Sequence, residues 1–524
     1  MCLRPLGHLS ARYPEIRWVV HRYTKATERV QSFDFAAVFR ENGCLVKRFL
    51  NLYSILLLGA ALRVVFAFNS LGFEHPTENY RLLEPIASLQ GYSVRLPWEW
   101  TEGLLSKIPI FFQYFYLSTI AKLGVTTAEG QLIALRLLYG MLSLFQILAA
   151  WRITLRTSNS RKVAAVSALL VATWPEIVYR SVRLMDYSLE ASLLAMVLIL
   201  VFTTKRRHRE IYVSLAGMIL GALFFVRFQT GMYFIVIGAV LLLLKPTRWL
   251  EFIYFSVFYA LTILFFGTIE ARGVSEFLAP FFKFLEFNAI ENGAVHLYGN
   301  QPWHRYFTEL AKSFGFLPLL VFAYAFFRRK LDGKILLIFA FPFLVLSLIA
   351  HKEAYFIYGF AWLLIPLTIV GVEQAQRSKT LLTVISLCFV AGFSINLVRV
   401  MKLYDRGSET VREWGKIGQE LAAEDTNRTK VVPLYIYGDP DLLPGGFFLR
   451  FTGPVCYKYG TSRQGICLKT VNEFRTLRLR KPNGDAIELT SEKKEGKDVR
   501  DLPDFKDAKW RLSPVQQIPL LLGS

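Results

Sequence analysis

A chain of 524 residues, 53% hydrophobic and 15% aromatic, with mean hydropathy +0.36, is richer in apolar groups than soluble domains, where they make up about 45–50%. The net charge of +21 would point to nucleic acid in a soluble protein, but here much of the excess falls in short stretches between apolar runs, where it sets membrane topology. Runs of the ~18–20 apolar residues that cross a bilayer core, without barrel-type alternation, exclude a soluble fold and a transmembrane barrel and leave an all-α polytopic membrane protein.

Residues 1–48 hold nine Lys/Arg, too polar for a secretory signal, and read as a cytoplasmic N-terminal segment. The first span is expected at 49–69, followed by an acidic, indole-bearing loop, 71–107. Residues 108–124 have two readings, a span or a helix along the interface. Further spans are expected at 131–154, 162–179, 187–204, 212–227, 231–244, 249–268, 310–327, 334–350, 355–372 and 380–400. If 108–124 lies along the interface, the basic loops 156–162, 205–209, 245–248, 328–334 and 377–379 all fall on the N-terminal side, satisfying the positive-inside rule. That choice gives about eleven spans over 49–400, with large extracytoplasmic loops at 70–130 and 269–309.

The tail, 401–524, reads as a small extracytoplasmic α/β appendage, with strands expected at KVVPLYIYG (430–438) and FFLRFTG and a charged, flexible stretch at 484–507. Cys2, Cys44 and Cys388 read as unpaired, whereas Cys456 and Cys467 are a candidate bridge if the tail is extracytoplasmic. No metal-ligand spacing and no fixed-period repeat occur.

Ionisable groups at a membrane boundary are candidates for function because burying them is costly. Glu78, one turn after the first span, suits a general base; a solvated loop acid is the plainer explanation. Glu74 and His75 are nearby alternatives, and Glu84 suits a substrate hydroxyl or a structural cap. Trp98, Glu99 and Trp100 suit a sugar face or interfacial anchoring. Asp186 and Glu190 share a helical face, with Arg183 as a phosphate ligand or simply the partner of Asp186. Arg227 ends an apolar run, to snorkel or to meet a phosphate. The loop holding Tyr298, Trp303, His304 and Tyr306, and the segment His351-Lys352-Glu353, supply cations and aromatics suited to a departing phosphate; headgroup contact is the alternative for each. Lys352 is expected to open on a cavity.

These motifs resemble glycosyltransferase family 22, the polyprenyl-phosphate-mannose-dependent α-mannosyltransferases of the GT-C class. HPTENYRLLEP (75–85) resembles the HPDE-type opening. RLMDYSLEASLL (183–194) resembles R-T-x-S-N-S-x-E at Arg183, Ser188 and Glu190. RFQT (227–230) resembles R-P-T-A, FNAIENGAVHLYGNQPWHRY (287–306) the N…YG-x-x-PWHWY loop, and HKEAYFIY (351–358) HKEERFLYP. The chain departs from the pattern at Thr77, where the first acid of Asp-Glu would stand, at Tyr187 for Asn and at Phe228 for Pro.

The resemblance implies an inverting transferase that moves a sugar, mannose above all, from a polyprenyl- or dolichyl-phosphate donor to a lipid-linked or cell-envelope glycan. Its active site would be extracytoplasmic, in an endoplasmic reticulum or bacterial inner membrane, with no nucleic-acid partner. Glu78 would be the base, or Asp186 or Glu74 in its place. Glu84, Trp98, Glu99, Trp100, Asp186 and Glu190 would hold acceptor and sugar, and Arg183, Arg227, His304, His351 and Lys352 the donor phosphate. No cofactor is called for, although a weakly held divalent cation stays open. A flippase of polyprenyl-linked sugars and a catalytically silent relative are the competing readings.

Overall fold

The computed structural model describes residues 51–404, apart from short gaps at 76, 93, 95, 203–207, 245–248, 272, 274–275, 328–330 and 376–378, and beyond them a few short segments up to residue 489. The N-terminal segment 1–48 and most of the basic loops that orient the chain lie outside the described residues.

Each of the eleven expected apolar segments is helical. Among the described residues five helices are long and apolar enough to cross a membrane: Leu52–Asn69, Ala128–Ser158 as one unit, Arg209–Val226, Trp249–Glu270 and Thr383–Tyr404. The number rises to seven if two bent pairs count as single spans. Among the described residues the count of eleven is thus not confirmed. Helices such as Asp186–Val201, with 16 residues, and Phe316–Phe327, with 12, rise about 1.5 Å per residue and end short of a ~30 Å core. Ile108–Lys122 is a 15-residue helix, also short of a span.

Local chemistry explains the breaks. Pro175 cannot continue the ladder of the preceding helix, so Arg161–Thr173 and Pro175–Ser181 meet at 57°. Trp174, fully buried at the bend, stacks on Phe314 and donates its indole N–H to the Ser313 carbonyl at 2.9 Å. Arg63 lies inside the first helix but is not left unpaired: Nε donates to Ser143 Oγ, and Nη1 to the carbonyls of Gly59 at 3.0 Å and Ala172 at 3.2 Å. Helices Arg209–Val226 and Trp249–Glu270 pack closely because Gly217 has no side chain; a Cβ there would run into the Phe255 carbonyl. The outer face of Trp249–Glu270 carries exposed Leu261, Leu264 and Phe265, as a lipid-facing helix would.

In the tail, strands β1 (Leu434–Tyr437), β2 (Val455–Lys458) and β3 (Gly465–Cys467) form one sheet, with β1–β2 parallel and β2–β3 antiparallel. Strands β4 (Leu477–Arg480) and β5 (Ala486–Leu489) form an antiparallel pair. The first expected strand is present. Of FFLRFTG the described part is not a strand: Gly446–Leu449 is a helical turn, and 450–453 lie outside the described residues. Its adjacent Phe447 and Phe448 are both buried against the first loop and helix Ala128–Leu142, which strand alternation would not allow. Beyond β5, the rest of the charged stretch lies outside the described residues.

Candidate functional site

The first loop is fastened before it can do chemistry. Arg136, from helix Ala128–Leu142, donates to the carbonyls of Ser70 and Gly72, the latter at 3.0 Å, and Arg183 donates to Gly72 O and Ser70 Oγ. Two guanidiniums in an apolar interior need a compensating charge. Glu78 supplies it, 3.8 Å from Arg136, with both side chains wholly buried. Its Oε1 accepts from the Glu74 amide at 2.7 Å and its Oε2 from the Leu184 amide at 3.3 Å. Glu78, wholly buried, therefore ties the loop to the 183–186 segment. Arg183 is likewise committed to the loop backbone and stacked on Tyr179 at 4.0 Å. Among the described residues it makes no ion pair with Asp186, and its buried Nε has no partner.

The neighbouring acids are also engaged. Glu84 is buried and accepts from the Phe447 amide at 3.2 Å, capping the turn from the tail. Glu99 pairs with Arg81 at 2.7 Å, and Trp100 packs in the core beneath it; the side chain of Trp98 lies outside the described residues. Glu74 accepts from Tyr187 at 3.1 Å and pairs at 2.8 Å with Arg180, which also holds Glu176 at 2.6 Å. Arg180 lies 3.5 Å over the Tyr358 ring. Asn396, on the last long helix, donates to the Lys312 carbonyl at 3.2 Å and accepts from the Glu176 amide at 2.9 Å.

Arg227 ends helix Arg209–Val226 and pairs with Glu190 at 2.5 Å, while Tyr233 donates to the other Glu190 oxygen at 2.7 Å. Glu190 is thus spent on Arg227 rather than offered to a sugar. Arg227 keeps one donor free: its buried Nη2 has no partner, and the same holds for Nε of Arg81.

The distant loops meet. The Gln301 amide donates to Ala350 O at 3.0 Å, and His351 packs on the Tyr298 ring with centroids 5.3 Å apart. His351 Nδ1 lies 3.3 Å from Gly299 O and Nε2 3.0 Å from Glu353 Oε1. Tyr355 joins this segment to the first loop through His75, at 6.0 Å between centroids, and to Tyr187 at 6.4 Å. The PWH and HKE segments and the first loop therefore share one region. Within it, Trp303 and His304 are exposed and Tyr306 is buried. Lys352, expected to face a cavity, is instead 5% exposed and donates to the carbonyls of Gln301, at 3.1 Å, and Ile349. Burial pulls its ammonium below the ordinary lysine range; it fastens the loop.

A small cleft opens between the first loop and the 184–186 segment, lined by Thr77, Arg81, Leu184, Met185, Asp186 and Phe225 among others. Asp186 is half-buried at the head of helix Asp186–Val201. Arg81 and Arg227 both act on it electrostatically. A carboxylate beside cations with unused donors can accept a proton and hold an anionic oxygen in one place. Among the described residues no group of three or more His, Cys, Asp or Glu is placed to hold a metal ion. Sequence reasoning passed over Arg136 and Arg81. The signal for Arg136 was its charge inside an apolar run; for Arg81 there was none beyond its place in the loop.

A model of the Alg9-like mannosyltransferase family matches residues 54–450. Over 321 residues the chain is 27% identical to GPI mannosyltransferase 3 of Yarrowia lipolytica, covering 58% of this chain and 59% of that protein. Mannosyltransferase APTG1 of Arabidopsis thaliana is 24% identical over 311 residues, covering 58% of this chain and 55% of that protein. The chain thus spans under two thirds of the length of these relatives. Among solved structures, ArnT from Cupriavidus metallidurans bound to undecaprenyl phosphate superposes with TM-score 0.53 at 11% identity, covering 83% of this chain and 97% of ArnT. Its apo form gives 0.50 at 13% identity, with the same coverage. The likeness to ArnT is one of fold.

Proposed function

The chain belongs to the Alg9-like mannosyltransferase family, and on that premise we propose that it transfers mannose from a polyprenyl- or dolichyl-phosphate donor to a hydroxyl of a lipid-anchored glycan at the extracytoplasmic edge of its membrane. The relatives' names support a GPI precursor as the acceptor, and ArnT's complex with undecaprenyl phosphate supports a donor of the same lipid class. The observation that carries the reading is the convergence of the 298–306 and 351–358 segments on the first loop beside Asp186, Arg81 and Arg227.

The donor's tail stays among the helices while its phosphate and sugar reach the cleft. The acceptor oxygen attacks the anomeric carbon as the bond to phosphate breaks, with inversion. Charge grows on the leaving phosphate, and stabilisation specific to that state accelerates the reaction. The free Nη2 of Arg227 and Nε of Arg81 suit that task. Tyr298, Trp303 and His304 are exposed and suit contact with the donor sugar or its phosphate.

Purified protein incubated with labelled polyprenyl-phosphate mannose and total membrane lipid should transfer label to a lipid-extractable product. Movement of the donor across vesicles without transfer would replace this reading with that of a flippase.

A further inference from the structure

Two positions in this chain exchange residue types relative to the motifs it otherwise follows. The HPDE-type opening places an acid at position 77, where this chain has Thr77. The R-T-x-S-N-S-x-E pattern places a hydroxyl at position 186, where this chain has Asp186. The fold brings the two together: Thr77 Oγ1 lies 3.5 Å from Sδ of Met185, the residue before Asp186, and Thr77 and Asp186 line the same cleft. The other acids around it are engaged. Glu78 serves Arg136 and two amides, Glu74 serves Arg180 and Tyr187, Glu84 the Phe447 amide, Glu99 Arg81, Glu190 Arg227 and Tyr233, and Glu353 His351. Among the described residues the Asp186 side chain makes no hydrogen bond and no ion pair; Arg81 and Arg227 act on it through space only.

We infer that Asp186 is the general base of the transfer, the acid that the motif places at position 77 on the first loop standing instead at position 186 across the same cleft. The inference rests on the transferase reading above. In the step, the acceptor's O–H proton passes to an Asp186 carboxylate oxygen. The acceptor oxygen forms its bond to the anomeric carbon, and the bond from that carbon to the phosphate oxygen breaks with its electron pair. The products are the glycoside, polyprenyl phosphate and a protonated Asp186, which returns its proton to solvent. Thr77, with its hydroxyl 2.6 Å from His75 Nδ1, lines the cleft and positions the acceptor hydroxyl. Burial raises the Asp186 carboxyl above the ordinary carboxylate range, with Arg81 and Arg227 pulling the other way. A base is more effective as its pKa rises toward the working pH.

The test uses the full-length protein with labelled polyprenyl-phosphate mannose and total membrane lipid. Asp186→Asn should lower transfer by about 100- to 10,000-fold with its thermal midpoint little changed. Asp186→Ser should be as poor, and adding Thr77→Asp to it should restore transfer by at least roughly tenfold, since that double variant returns the acid to the other wall of the cleft. The acid limb of the pH–rate profile should lie at different pH in wild type and in the double variant. A purely structural Asp186 would give neither the rescue nor the displaced limb. Wild-type-like transfer by Asp186→Asn, or a folded double variant no better than Asp186→Ser, overturns the assignment while leaving the transferase reading intact. Absence of transfer by the wild type overturns the transferase reading itself.

Discussion

A buried carboxylate held by a guanidinium and two amides is expensive to neutralise, because the cation it balanced is left alone in an apolar site. Glu78→Gln keeps the shape but only one of the two amide contacts, since its NH2 cannot accept from an N–H, and it strands Arg136, 3.8 Å away. The expected result is a loss of stability of up to about 3–5 kcal/mol, read as a lower thermal midpoint in detergent. Whatever transfer survives should keep the wild-type pH profile. An unchanged midpoint with transfer abolished would return Glu78 to the chemistry. The contrast with Asp186 explains what was illegible at this scale. Both are acids near the end of a helix, and in sequence Glu78 is the more prominent. The difference is made by Arg136, 58 residues further on, and by the Leu184 amide, and no local spacing announces either contact.

At the scale of elements, the site is held by packing between segments far apart in the chain. Helix Asp186–Val201 and the turn Tyr358–Ala361 approach so closely that a Cβ on Gly359 would fall on the Glu190 carboxylate. Gly359→Ala should therefore push Glu190 off Arg227 and Tyr233. Transfer should fall by about tenfold or more, with a stability loss of about 1–3 kcal/mol from overpacking. Transfer assays beside thermal unfolding check it, and an unaffected variant would mean that the Arg227–Glu190 pair is dispensable. A second tie joins the tail to the first loop through the Phe447 amide on Glu84, the buried Phe447 and Phe448, and Ser408 Oγ accepting from the Gly72 amide at 3.2 Å. Phe447→Ala removes a wholly buried ring, at a cost of about 3–5 kcal/mol. It should loosen the first loop, and limited proteolysis should then cut within 71–107 sooner than in wild type. Apolar runs made the helices legible. The Phe447–Phe448 turn was misread as a strand because two adjacent rings are buried by a partner, the first loop, that lies some hundreds of residues earlier.

For the whole molecule, the apolar runs predicted where helices lie but not how many of them are long enough to cross. Hydropathy reports composition, whereas bends at Pro175 and after Ala361, and short helices such as Asp186–Val201, are settled by packing around buried groups such as Trp174. The side on which the cleft opens is not fixed by the helices, and the tail offers a chemical reporter of it. In the β2–β3 register Cys456 stands directly opposite Cys467. Opposed residues of antiparallel strands have Cα atoms about 4.5–5.5 Å apart, within the range a disulfide requires. Disulfides persist in the endoplasmic reticulum lumen or a periplasm and are rare in the cytosol. If the tail and the cleft face outward, the two cysteines should be joined. Membranes quenched with an alkylating reagent should yield, without reductant, a crosslinked peptide pair containing Cys456 and Cys467, which separates on reduction. Removing the bridge with Cys456→Ser should lower the stability of the tail by roughly 2–4 kcal/mol. Recovery of both residues as alkylated free thiols from unreduced membranes would place the tail in a reducing compartment. The positive-inside orientation would then be inverted, and a donor presented from the outer leaflet would have no route to Asp186.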